Sequence, residues 1–487
     1  MDGVNRRALS ILGASMEHPY ITLQNKEIVS IYDTPHLLKC FRNMFIKYDI
    51  ECSTDINSSL QTGRGIAKWE HIKQFYEMDS KNPNFVFAPC LRKDHLDPNT
   101  KQKMKVNLAA QVLSHSVVAG LYSKISDGSL TAAATTTANV VANMDKIFDC
   151  LNSETSDLRR GKCHATNLTA TSPHLIFFQK MKNFFSTLKF IGSPRKPPSL
   201  EGWIWTLNAV ERVWRNLSKK YNVKGLATRR LQQDALENLF GCIRGNCGSN
   251  TNPTCGQFVA GLKAAIISNL SHMGTTGNCE TDNNVIINNF DSFLSVSQSA
   301  QEKKDDDSVV TASSTSTSYA LYFEVDEAIN TNNPEIQACA YVAGFILKKL
   351  PLKDCEICRK IFVSDNIDIT HNFVANREYG TDSQALNYAH KDFIFCVELC
   401  ASVINNFLKD NAFVKIIKIK ILDRINSIVN FDFIQPCNLH KDNNLETIIN
   451  CVFFICIKRF CVLKNRSFAE EASTSSLKRK MKIILHQ

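Results

Sequence analysis

Apolar and polar positions divide the chain into a short opening region and long helical stretches. Glu27-Ile-Val-Ser-Ile-Tyr-Asp33 reads as a buried strand ending on an acid, and Pro35 to Asn43 reads as a helix with proline in its first turn. Together they predict a strand-to-helix unit. From Ala67 to about Lys220 the pattern is almost wholly helical, clearest in Lys103 to Leu121, where apolar residues recur at three and four. A second domain is expected to begin there. Thr228 to Gly245 predicts an amphipathic helix with Thr228 as N-cap, an apolar stripe of Leu231, Ala235, Leu236, Leu239 and Ile243, and a terminating glycine. The Ser/Thr/Gln/Lys/Asp-rich stretch from about Ser292 to Ser318 contains Glu302-Lys-Lys-Asp-Asp-Asp307 and has too little apolar content to pack, which predicts a linker. Helical periodicity returns from about Leu321, with Ala338 to Lys349 the clearest element, and no internal repeat is visible.

Composition changes this picture only modestly. With 487 residues, 44% apolar and 21% charged, the chain can bury several cores, so two to four domains are expected. No stretch approaches the roughly 18 apolar residues of a membrane span, and the N-terminus has no long apolar signal region, so no membrane partner is expected. Eighteen cysteines without a secretory signal read as reduced thiols, buried small hydrophobes or metal ligands.

Charge adds a partner class. Of the net +10, much sits in residues 411–487, which hold 13 Lys or Arg against 6 Asp or Glu. That excess favours a polyanion such as DNA, although a solvated helical surface explains any single cluster equally well. Lys478, Arg479, Lys480 and Lys482 suggest a nuclear-import signal, making the nucleus the expected location.

One constellation suggests metal chemistry directly. Cys355-x-x-Cys358 and Cys437-x-x-His440 supply three thiolates and an imidazole, a set suited to tetrahedral Zn²⁺, against the competing reading that close pairs arise by chance among many cysteines. With zinc bound, Lys458, Arg459 and Lys464 on the helix that follows would be expected near DNA. Trp203, Trp205 and Trp214 are more simply core aromatics than nucleobase platforms. There is no GxxxxGK[ST] loop, so residue patterns alone do not predict a nucleotide.

Three blocks in order carry a family resemblance: Tyr32-Asp-Thr-Pro-His-Leu-Leu-Lys39 with Arg42-Asn43, Lys103-Met-Lys-Val106 through Ser114-His115-Ser116, and Gln233-Asp-Ala-Leu-Glu-Asn-Leu-Phe-Gly241. Phe148-Asp-Cys-Leu-Asn152 and Tyr341-Val-Ala-Gly344 join them. The chain thereby resembles P-element-type (THAP-domain) DNA transposases over most of its length. The resemblance implies an α-rich α+β fold, in which a partial RNase H-like domain is interrupted by an all-helical GTP-binding insertion domain and followed by a helical C-terminal domain. The implied boundaries are 1–64 for the RNase H-like remnant, 65–220 for the insertion, 221–290 for the closing helix region, 291–320 for the linker and 321–487 for the basic C-terminal domain.

The family cuts and joins DNA with a DDE set of carboxylates holding two divalent ions, expected to be Mg²⁺, which activate the attacking oxygen and stabilise the leaving one. Glu237 matches the final family acid, although alone it would be an ordinary surface glutamate. Asp2 is the candidate for the second acid, its spacing to Asn5 being shorter than the family's. Asp33 and His36 would face the same cleft, or simply cap a helix. Positions matching GTP contacts are Lys105, Val106, Ser114, Phe148, Asp149, Asn152 and Asp234. Lysine offers charge to phosphates, Phe148 a stacking face or a core residue, and Asp149 or Asp234 an acceptor for guanine's donors. One departure is Pro89-Cys90-Leu91, where the family has lysine between proline and leucine. The first family acid comes from a strand upstream of Met1, so the expectation is a transposase-derived protein that binds GTP and DNA without cutting. The alternatives are an active enzyme made as a longer product and a regulator that joins full-length transposase or another copy of itself.

Overall fold

The computed structural model describes residues 3–53, 63–82, 84–158, 161–248, 250, 252–268, 334–379, 386–412 and 416–474. Asp2, the expected linker from Ser292 to Ser318, and the basic residues Lys478 to Lys482 lie outside the described residues. Contacts divide the chain into one unit of residues 1–231 with 331–487 and a second of residues 232–330.

The first unit opens with α1 (Gly3–Ile11) and a hairpin of β1 (Tyr20–Leu23) and β2 (Lys26–Val29), paired Tyr20 to Val29 and Leu23 to Lys26. Gln24 and Asn25 form its two-residue turn at φ 48 and 61, the left-handed geometry that matches strand twist. This corrects the buried strand expected over Glu27 to Asp33. The strand ends at Val29, and Ile28 is 47% exposed. Beyond it the backbone bonds to side chains instead of a sheet: Thr206 Oγ1 lies 3.2 Å from both Tyr32 N and Tyr32 O, and Trp205 Nε1 donates to Ser30 O at 2.9 Å.

Asp33 then caps α2 (Thr34–Lys47), its carboxylate accepting the His36 backbone N–H at 3.1 Å, with Pro35 in the first turn as the sequence predicts. Leu37, Leu38, Phe41 and Phe45 of α2 enter the core. A three-stranded antiparallel sheet follows, β3 (Ile50–Ser53) lying between β4 (Arg64–Ala67) and β5 (Lys189–Phe190).

Most of the unit is helical: α3 (Trp69–Ser80), α4 (Lys93–Leu96), α5 (Thr100–Lys103), α6 (Val106–Val112), α7 (His115–Ser126), α8 (Ala134–Leu151), α9 (His174–Thr187) and α10 (Pro198–Tyr221). The helix expected over Lys103 to Leu121 is therefore broken twice. Lys105 and Ser114 are extended, and the Lys103 carbonyl, at the end of α5, accepts from Arg42 at 2.9 Å. Helical periodicity does not reveal such breaks, because apolar residues keep recurring at three and four along the sequence across them. Trp203 is fully buried and stacks on Phe185 at 5.3 Å, as expected of a core aromatic.

The second unit holds α11 (Asp234–Asn246) and α12 (Cys255–Ser268), which pack together. Thr228 is not the cap of α11. It belongs to a 3₁₀ turn, where its buried hydroxyl bonds Ser153 and the Cys150 carbonyl, and α11 starts six residues later. The buried positions of α11 are Asp234 and Ile243, while Leu236 is 50% exposed, so of the expected apolar stripe on this helix only Ile243 is buried.

The C-terminal part of the first unit comprises α13 (Pro334–Leu347), α14 (Glu356–Phe362), α15 (Asn372–Asn376), α16 (Lys391–Asn411), α17 (Ile417–Ile428) and α18 (Lys441–Thr474). One hydrophobic core runs from Leu37 through the insertion helices to Cys456. Among the described residues, no helix is long and apolar enough to cross a membrane.

Candidate functional site

All the positions matched to nucleotide contacts except Asp234 lie at the starts of α6 and α7 and the end of α8. Lys105 is exposed at the N-terminus of α6, Val106 is 2% exposed, and Ser114 precedes α7 without a side-chain capping bond. Phe148 is 8% exposed within the core, so a base can stack on it only if the surroundings open. Asn152 ends α8, and its buried Oδ1 has no hydrogen-bond partner. Asp234 belongs to the second unit.

Arg42 joins two of the sequence blocks. It is 0% exposed, donates to Asn43 Oδ1 at 2.7 Å and to the Lys103 carbonyl at 2.9 Å, and leaves Nη1 buried without a partner. Burial drops its pKa to about 10, and no carboxylate opposes the shift. A buried guanidinium with an unused donor, beside the exposed Lys103 and Lys105, suits an anionic ligand.

Asp149 is engaged by a group the sequence did not reveal. Its carboxylate pairs with Lys162 Nζ at 3.0 Å, and that ammonium lies 4.7 Å from the centre of the Tyr379 ring. Asp145 sits one turn earlier on α8. Its carboxyl is pushed up to about 7 by loss of water and then by Asp149, with Lys162 and the His115 backbone N–H opposing the rise. Burial alone would lower the Lys162 pKa, but Asp145, Asp149 and Tyr379 outweigh it and hold the lysine above its ordinary value. Tyr379 also stacks on His115 at 4.2 Å. Burial, then Arg377, takes that imidazole down to about 4, so it is neutral near pH 7. An Asp at both i and i+4 of one helix was the available sequence signal, since such a pair calls for a cation between its members.

The residues assigned to catalysis are spread over both units. Asp33 and His36 start α2 in the first, Glu237 lies in the first turn of α11 in the second, and Asp2 lies outside the described residues. Asp33 has the capping role that the sequence left open beside the catalytic one.

The four predicted metal ligands do come together. Cys355, Cys358, Cys437 and His440 place one ligand atom each within 4.8 Å of all the others. Arg459, expected near DNA, is instead half-buried: its guanidinium donates to the Asn84 carbonyl and, at 2.6 Å, to the Asn82 carbonyl. Lys458 is exposed, and Lys464 lies over the Phe460 ring at 5.7 Å.

Residues 35–163 match the family model of the TNP-like GTP-binding insertion domain, and residues 230–263 match that of the TNP-like RNase H C-terminal domain. The chain is 25% identical over 353 residues to the transposable element P transposase of Drosophila melanogaster, covering 72% of this chain and 45% of that protein. This chain is homologous to P element transposase. It spans less than half the length of that relative. A chain of the Drosophila P element transposase strand transfer complex is similar with a TM-score of 0.49 and 22% identity, covering 56% of this chain and 60% of that chain. The match to the insertion domain takes in Arg42, Lys105, Asp145, Asp149 and Lys162, while the RNase H C-terminal match takes in Glu237 and Asp234. Tyr379 lies beyond both.

Proposed function

We propose that this P-element-type protein binds guanine nucleotide through its insertion domain and holds DNA electrostatically. The observation that carries the reading is the match of residues 35–163 to a GTP-binding insertion domain. The buried Arg42, whose Nη1 has no partner, and the orphaned Asn152 Oδ1 support it, because one suits an anion and the other a ligand N–H. Lys105 would serve the phosphates, joined by the fully buried Arg42 only if its surroundings open, and Asp149 with Asn152 the guanine edge. Asp234 is a further carboxylate supplied by resemblance. Because Asp149 already pairs with Lys162, guanine has to displace or share that lysine. Bound GTP would supply charge and shape to organise the insertion helices.

Calorimetry on the full chain is expected to show GTP bound in preference to ATP, with Asp149→Ala weakening that preference. Equal or undetectable binding of both nucleotides would remove the nucleotide reading. The net charge of +10 supports DNA binding whose affinity falls steeply with salt. We read this chain as holding DNA without cutting it, because Asp2, the candidate for the second family acid, departs from the family's spacing to Asn5. Cleavage of terminal-repeat DNA in Mg²⁺ that is lost in Glu237→Ala would overturn that part.

A further inference from the structure

The C-terminal helices contain a cluster that the nucleotide and DNA readings do not use. Cys355 is the N-cap of α14, and its sulfur accepts the Cys358 backbone N–H at 3.5 Å. Cys437 and His440 lie in the turn leading into α18, which starts at Lys441. Two sequence-local pairs, 79 residues apart at their nearest members, therefore converge where the start of one helix meets the start of another.

We propose that Cys355, Cys358, Cys437 and His440 hold one structural Zn²⁺ ion. Tetrahedral zinc, with bonds of about 2.3 Å to sulfur and about 2.0 Å to nitrogen, sets sulfur pairs about 3.8 Å apart and sulfur–nitrogen pairs about 3.5 Å apart. Cys355 and Cys437 sulfurs lie 3.7 Å apart, and Cys358 and Cys437 sulfurs 3.4 Å. His440 Nδ1 lies 3.7 Å from the Cys358 sulfur and 3.5 Å from that of Cys437. These separations span the edges of a zinc tetrahedron and are far longer than the roughly 2.05 Å of a disulfide.

The surroundings fit thiolate ligands. Cys358 and Cys437 are buried, and the fully buried Asn444 donates its amide N–H to the Cys358 sulfur at 3.3 Å. A donor aimed at sulfur from outside the ligand set is the kind of contact that orients a zinc-bound thiolate. Four protein ligands complete the shell, which makes the site structural rather than catalytic. Zinc binding releases the thiol protons to solvent and clamps α14 to the turn that launches α18. The proposal rests on this geometry alone, so it survives a failure to bind nucleotide.

The full chain, purified without added metal or chelator, is expected to contain about one zinc per chain. Cys358→Ser and Cys437→Ser should lose nearly all of it, while His440→Cys, which keeps four ligands, should retain it. Cys400→Ser, at a buried cysteine outside the cluster, should retain it too. Cobalt replacing zinc in the parent chain should show the intense visible bands of a tetrahedral site and sulfur-to-metal charge transfer, a readout independent of how the variants fold. A folded, metal-free parent chain with reduced thiols would overturn the proposal, as would an octahedral cobalt spectrum or full zinc retention in either serine variant.

Discussion

Two carboxylates one helical turn apart repel unless a cation reaches them, and α8 meets that requirement with Lys162. The raised pKa of Asp145 has a definite sign in stability. Its unfolded carboxyl titrates near 4, whereas its folded one titrates at about 7. Between those values the native state binds more protons, so this group's contribution is fully present below about pH 4 and is lost as pH rises through 7. His115, taken down to about 4, acts oppositely in part of that window, and Asp149, Lys146 and Lys162 also bear on Asp145. Comparing Asp145→Asn with the parent cancels what they share. The variant is expected to gain stability over the parent progressively from pH 4 to pH 8, by on the order of 1–3 kcal/mol, measured as urea midpoints across pH. A pH-independent difference would remove this account. Asp149 and Asn152 were legible in a motif, whereas Asp145 was missed, although its spacing to Asp149 was a signal. Lys162 and Tyr379 were not, because only folding brings residue 379 to residue 162.

Elements were legible where their signals were local. Asp33 and Pro35 announce α2, and the apolar run from Ala338 announces α13, because caps and periodicity are properties of neighbouring residues. The breaks between α5, α6 and α7 were not legible, since one depends on a buried arginine more than sixty residues away. The Tyr341-Val-Ala-Gly344 block is explained by packing between elements. Tyr341 OH accepts from Arg377 at 3.1 Å, and a Cβ on Gly344 would collide with the Asn387 carbonyl oxygen. Backbone cannot swing aside as a side chain can, so Gly344→Ala should destabilise by about 1–3 kcal/mol. Gly241 of α11 has open space within 4 Å of where a methyl group would stand, and Gly241→Ala should instead strengthen its helix by about 0.5–1 kcal/mol. Hydrogen exchange in the two helices checks both. Faster exchange in α11 of Gly241→Ala, or no quickening in α13 of Gly344→Ala, would contradict the packing argument.

At the scale of the first unit, the C-terminal helices are fastened to the insertion helices by polar groups as well as by the shared core. Arg459 of α18 donates to the carbonyls of Asn82 and Asn84, whose chain follows α3. Asn84 in turn donates to Ser402 Oγ at 2.9 Å and accepts from Asn405 at 3.1 Å, both on α16. Sequence alone placed Arg459 near DNA on the condition that zinc is bound, because a basic helix residue offers no sign of a carbonyl partner 375 positions away. The two roles predict different losses. Arg459→Met keeps much of the apolar stem but removes the donors, and leaving those carbonyls unsatisfied should cost about 1–3 kcal/mol. If Arg459 is a fastener, exchange should quicken in α16, α18 and residues 84–88, while DNA affinity and its salt slope stay near those of the parent. Were it a phosphate contact, exchange would hold and the salt slope would fall by about one, and the fastening of these helices would have to come from the apolar core alone.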